Sequence, residues 1–185
     1  MAVCDVGAYR DHLRHSAVLP FAWTPRDPSE SSLVLARRHR RNVAALALDS
    51  AGDERRPERS ADEPALAPEL ARIETKLNVV MELFASIVER DVVLPPPTQV
   101  RFNAWGVEWN DDDAPAAGRS ILIRLHLETF PALPLELAAT TLSGTDIKWG
   151  LAVFDALRAP LPEAIEKHVF REHRRQVADS IEVGK

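Results

Sequence analysis

Apolar residues recur at steps of three and four from Leu70 through Ile73, Leu77, Val80 and Phe84 to Ile87. That spacing is a heptad seam, narrower and more regular than the face of a helix lying on a globular core. Pro68 suits a first helical position, where its missing N–H would have had no partner. The Pro95–Pro96–Pro97 run pushes Leu94 out of the α region, so the pattern predicts a helix over 68–91. At 1.5 Å per residue it would be ~36 Å long. With Leu70 at position a, leucine and phenylalanine occupy a while β-branched Ile73, Val80 and Ile87 occupy d. This arrangement favours three or four strands over two, and Met81, Val88 and Leu83 widen the stripe further. The helix is expected to join chains, with four as the expected number.

Past residue 95 the period drops to two. Ile121, Ile123, Leu125 and Leu127 alternate with Leu122, Arg124, His126 and Glu128, as in a half-buried strand. Leu133, Leu135, Leu137 and Ala139 make another, and Ile147, Trp149, Leu151 and Val153 a third. Gln99–Phe102 and Val107–Trp109 flank Asn103–Ala104–Trp105–Gly106, where Gly106 is expected to take the positive φ of a turn or bulge. Short strands at such spacing, without helices between them, predict a small antiparallel barrel over 95–158. A closing helix follows over 162–181, with Ile165, Val169, Phe170 and Val177 toward the barrel and Arg171, Arg174 and Arg175 outward. The fold class is therefore α+β.

Ahead of the heptads, residues 1–23 form an N-terminal segment ending in a first strand, Val18–Trp23, which Pro20 confines to an edge or bend. Residues 24–67 hold a helix and a linker. Ser31 or Ser32 caps a helix to about Asp49, with Leu35, Val43 and Leu46 inward and Arg37, Arg38, Arg40 and Arg41 outward. Residues 51–67 are charged and aperiodic, a linker pattern.

A net charge of −5 gives no support to DNA or membrane-surface attraction, and no run of apolar residues reaches spanning length. One cysteine excludes an internal disulfide and fits a reducing cytoplasm. No histidine stands in an HExxH setting or beside a nucleophile motif, and no phosphate-binding glycine loop occurs. His12 and His15 have i, i+3 spacing, but solvated surface histidines are the commoner meaning of such a pair. Asp111–Asp112–Asp113 lacks calcium-loop spacing. The chain is expected to be neither an enzyme nor a metal or cofactor protein.

Taken in order, several stretches resemble the PilZ family, in its atypical, tetramer-forming branch. They are Tyr9-Arg-Asp-His-Leu leading into Leu19-Pro-Phe-Ala-Trp23, Ile73 to Val80, Val100-Arg-Phe-Asn-Ala-Trp-Gly-Val-Glu-Trp109 and Glu166 to Arg174. The resemblance implies a cyclic di-GMP receptor acting on an effector protein. Family members hold the dinucleotide with RxxxR before the first strand and [D/N]xSxxG on a strand turn. Arg10 and Arg14 have the first spacing, and Arg37 with Arg41 repeats it on a predicted helix. At the second motif Arg101 replaces the acid or amide, Asn103 replaces serine and Gly106 is retained. The resemblance thus implies Arg10, Arg14, Arg101, Asn103 and Gly106 as the ligand contacts. An arginine cannot accept from guanine N–H groups, and a lost acceptor against a buried donor costs about 1–3 kcal/mol. The alternative is an oligomeric scaffold of the same fold that no longer binds the nucleotide. Trp105 is either a cap on the barrel end or a stacking platform.

Overall fold

The computed structural model describes residues 6–27, 29–51, 92–111, 114–143 and 148–183, together with 70, 72, 73, 75–77, 79 and 80. Two helices and a strand come first: α1 (Val6–Asp11), β1 (His15–Pro25) and α2 (Ser32–Ala51). Five strands follow, β2 (Pro97–Phe102), β3 (Gly106–Asn110), β4 (Ser120–Leu125), β5 (Leu135–Leu142) and β6 (Trp149–Phe154). The C-terminal helix α3 (Leu161–Val183) ends the described chain.

The strands close a barrel in the order β1-β2-β3-β6-β5-β4, with antiparallel pairing throughout. Closure is what the alternating patterns require, since it leaves one face of each strand in a shared core. β1 is long enough to serve two neighbours. His15–Pro20 pairs with β2, and Phe21–Pro25 pairs with β4. Pro20, which has no N–H to donate, sits where β1 changes partner, and its carbonyl accepts from the His126 N–H at 3.1 Å. Phe21, Val100, Phe102, Trp109, Ile123 and Leu137 meet in the core. Gly150 lies opposite Trp109, and a Cβ there would come within 2.4 Å of the indole, so the glycine makes room for the ring.

α2 folds onto the outside of the barrel and against α3. The Asn42 amide donates to the Glu136 carbonyl and accepts from the Glu136 N–H, both at 2.8 Å, so a helix side chain completes the backbone of β5. Ser31 caps α2, its Oγ accepting from Val34 N–H at 3.4 Å. The linker expected beyond α2, over 52–67, lies outside the described residues.

Several expected orientations are corrected. Phe170 and Val177 do not face the barrel, standing 57% and 46% exposed, while Ile165 and Val169 close it. Arg38 does not face solvent, since it pairs with Glu30 at 2.6 Å and reaches Glu136 at 3.8 Å. Arg171 turns in to Asp49 of α2. In both cases the long aliphatic stem packs while the guanidinium finds a carboxylate. Leu122 and His126, on the expected outer face of β4, are buried. In β6 Leu151 and Val153 are buried as expected, but Ala152 and Phe154 are buried too and join the main cluster, because that strand is covered on both faces and period two no longer marks the inside; Trp149 is half-buried.

The described residues between 70 and 80 are all helical and all exposed. Leu70, Ile73, Leu77 and Val80 stand 55–61% exposed, so this part of the seam does not fold back on its own barrel. Phe84 and Ile87, the remaining seam positions, lie outside the described residues.

Candidate ligand-binding face

α1 is held to the barrel by Tyr9. Its hydroxyl donates to the Arg101 carbonyl at 3.0 Å, and its own carbonyl accepts from the Asn103 amide at 2.9 Å. The ring is fully buried, and burial, followed by the nearby Glu108 charge, pushes its pKa well above the usual phenol value. This anchor fixes where α1 releases the chain, and therefore where Arg10 and Arg14 emerge. Both are exposed.

Arg14 and Arg101 converge on one carboxylate. Arg14 Nη1 lies 3.8 Å and Arg101 Nη1 4.0 Å from Glu108 Oε2, and the β2–β3 register sets Arg101 directly across from Glu108. The Arg101 guanidinium lies 4.4 Å from the centre of the Trp149 ring, within cation–π range. The Arg14 guanidinium sits 5.5 Å over Tyr9. At these distances, and with both arginines partly in water, the ion pairs are weak and readily exchanged for an anion.

Asn103 and Gly106 are placed differently. Asn103 is 1% exposed. Its Oδ1 accepts from the N–H groups of Trp105 at 2.9 Å and Gly106 at 3.2 Å, closing the turn while its amide holds Tyr9. Gly106 does not have the expected positive φ; that conformation belongs to Gly118, at +80°. Gly106 is glycine because β6 is close, and a Cβ would meet the Ala152 carbonyl oxygen at 2.5 Å and the Tyr9 ring at 3.3 Å. The turn is thus packed from both sides. Trp105 stacks on His12, ring centres 3.8 Å apart, and its carbonyl accepts from the Phe154 N–H.

His12 and His15 diverge. His12 leans on Trp105, whereas His15 points to Phe102 and His168. No group of three or more metal-ligating side chains occurs among the described residues. Nor is any described helix long and apolar enough to cross a membrane.

Glu108 and Trp149 are the members of this face that sequence reasoning missed. The signal for Glu108 was its polar position between Val107 and Trp109 in β3, which puts it across from Arg101. That signal is legible only once the strand register is known.

The family model described as "Atypical PilZ domain, cyclic di-GMP receptor" matches residues 45–182, well over half the chain. No curated protein sequence matches it. Among solved structures, one from Xanthomonas campestris, described as a new tetrameric PilZ domain self-assembled via an unusual helical bundle, superposes with a TM-score of 0.73. It is 23% identical and the match covers 95% of each chain. On the extent of the family match, and with the closed barrel and C-terminal helix in place, the chain belongs to the atypical PilZ domain family.

Proposed function

We propose that the chain is a self-assembling signalling adaptor that takes cyclic di-GMP on the face formed by Arg10, Arg14 and Arg101. The observation that carries the ligand half is the convergence of Arg14 and Arg101 on Glu108 beside the Trp149 ring. Arginines on one face suit the two phosphates, and their planar forks also suit guanine edges. Glu108 supplies what Arg101 cannot. Its carboxylate can accept from guanine N–H groups once a phosphate has drawn the arginines away, taking over the acceptor role of the missing Asp or Asn. Asn103 and Gly106 act in this reading by shaping the turn and holding α1.

The helix through Leu70, Ile73, Leu77 and Val80 assembles the protomers, with Phe84 and Ile87 continuing the seam. The exposed half of that seam supports this, as does the helical bundle described for the X. campestris protein. Burying what remains exposed of four such side chains is worth roughly 1 kcal/mol each per chain. Four copies would hold four receptor faces around one bundle, available to an effector protein.

A second reading, an adaptor without nucleotide, is favoured by Asn103, whose amide makes three hydrogen bonds inside the fold. Calorimetry separates the two. The receptor reading expects heat with cyclic di-GMP at roughly 100 µM protein, where micromolar binding near −8 kcal/mol is visible. It also expects loss of that heat in the double variant Arg10→Ala with Arg14→Ala. No heat from the unmodified protein leaves the adaptor.

A further inference from the structure

A cavity of about 460 Å³ lies between β1, the segment after β4 and α3, and has no part in the face described above. His15 and His168 line its inner wall, 7% and 5% exposed. Each carries a ring nitrogen without a hydrogen-bond partner, Nδ1 of His15 and Nε2 of His168. The Nδ1 of His168 faces Asp49 Oδ2 at 2.6 Å, with the Arg171 guanidinium 3.1 Å from the same nitrogen. Asp49 is itself satisfied by His168, Thr129 and Arg171. Burial opposes its ionisation, but these partners outweigh burial and hold the carboxyl below its ordinary range. Burial pushes His15 down to about 4, so its ring is neutral near pH 7.

The mouth of the cavity is acidic. Glu128 and Asp179 line it at exposed positions, and Glu172 lies beside them, paired with Arg175 at 3.0 Å. A carboxylate rim in front of buried, unpartnered ring nitrogens suits a cationic N–H donor.

The backbone indicates how such a donor arrives. Odd residues of β1 turn their N–H and C=O toward β2, as the bond from Phe21 N–H to the Pro96 carbonyl shows. Even residues turn the other way, toward the cavity. There the Ser16 carbonyl accepts from Gln176 and the Pro20 carbonyl from His126, but the β4 ladder begins only at Phe21. Val18, 64% exposed and lining the cavity, is therefore an open strand edge between two capped ones.

We propose that this groove receives an extended, basic segment of a protein partner, which pairs its backbone with Val18 and directs an arginine or lysine side chain to His15 and His168 between Glu128, Glu172 and Asp179. Strand addition provides the main-chain bonds, and the acidic cavity selects the side chain. This proposal is independent of the nucleotide face.

The probe is a fluorescein-labelled pentapeptide alternating valine and arginine, measured by anisotropy on the full chain at 0.15 M salt. Binding is expected, weakened at least tenfold when citrulline replaces arginine and likewise when alternate peptide amides are N-methylated. Glu128→Lys with Asp179→Lys should weaken it at least tenfold. The same charge change elsewhere, Glu163→Lys with Glu166→Lys, should leave it within twofold. No binding at 500 µM protein overturns the proposal, as does equal binding of the citrulline peptide. Equal weakening by the control pair would reveal non-specific charge attraction, and displacement by free agmatine at the peptide's own concentration would reveal a small-cation site; either result refutes strand docking.

Discussion

Asn103→Ala distinguishes a residue that builds the turn from one that touches ligand. The substitution removes three hydrogen bonds: the amide to the Tyr9 carbonyl at 2.9 Å, and those accepted from Trp105 N–H at 2.9 Å and Gly106 N–H at 3.2 Å. Trp105 N–H sits on a half-buried residue and can turn to water at small cost. Gly106 N–H and the Tyr9 carbonyl belong to buried residues, and each orphaned group costs about 1–3 kcal/mol. With partial relaxation the sum is about 2–4 kcal/mol, or roughly 5–15 °C in Tm for a chain of this size. Asn103→Asp keeps an acceptor for Trp105 and Gly106 but sets a buried carboxylate oxygen against the Tyr9 carbonyl, so its loss near neutral pH should be at least as large. Urea unfolding at fixed protomer concentration, with calorimetry alongside, measures both effects. Stability within 0.5 kcal/mol of the unmodified protein would refute the structural role, and loss of nucleotide binding at unchanged stability would make Asn103 a ligand contact.

Glu108→Gln keeps the shape of the face but weakens the acceptor for guanine N–H groups, so the cyclic di-GMP Kd should rise about tenfold; an unchanged Kd by calorimetry removes Glu108 from the site. Gly106→Ala forces a Cβ against the Ala152 carbonyl oxygen and should cost about 1–3 kcal/mol in chemical denaturation, whereas a neutral result would mean that β3 and β6 can part freely. The His15 imidazole is pushed down from 6.5 to about 4, so between those values the unfolded chain takes a proton that the folded chain refuses. Stability should therefore fall as pH drops from 6.5 to 4, by at most about 1.4 kcal/mol per unit, and His15→Leu should flatten that slope in thermal melts. Asp49 acts lower down, its depressed pKa adding stability above the ordinary carboxylate range and losing it below.

The barrel was legible because its signal is local. The alternation through Ile121, Ile123 and Leu125, and through Leu135, Leu137 and Ala139, survives into the observed core unchanged. The closing helix was legible for the same reason, within two residues at each end. Pairings made between distant segments were not. Asn42 bonding to Glu136, Asp49 meeting His168 and Arg171, and Arg14 reaching Glu108 join residues tens of positions apart. No periodicity encodes such pairs. Arg38 and Arg171 were assigned to solvent by charge alone, and a carboxylate from another element reverses that. Gly106 shows a different limit. A turn motif marked the need for glycine, but its cause was a strand some 45 residues away, not its own φ.

Sedimentation of the full chain, with Leu77→Asp beside it, tests the assembly most directly. The account predicts a species of about four times the 20.6 kDa chain mass for the unmodified protein, and single folded chains for Leu77→Asp. An unmodified protein that sediments as one chain, or a Leu77→Asp variant that stays at the higher mass, would contradict it.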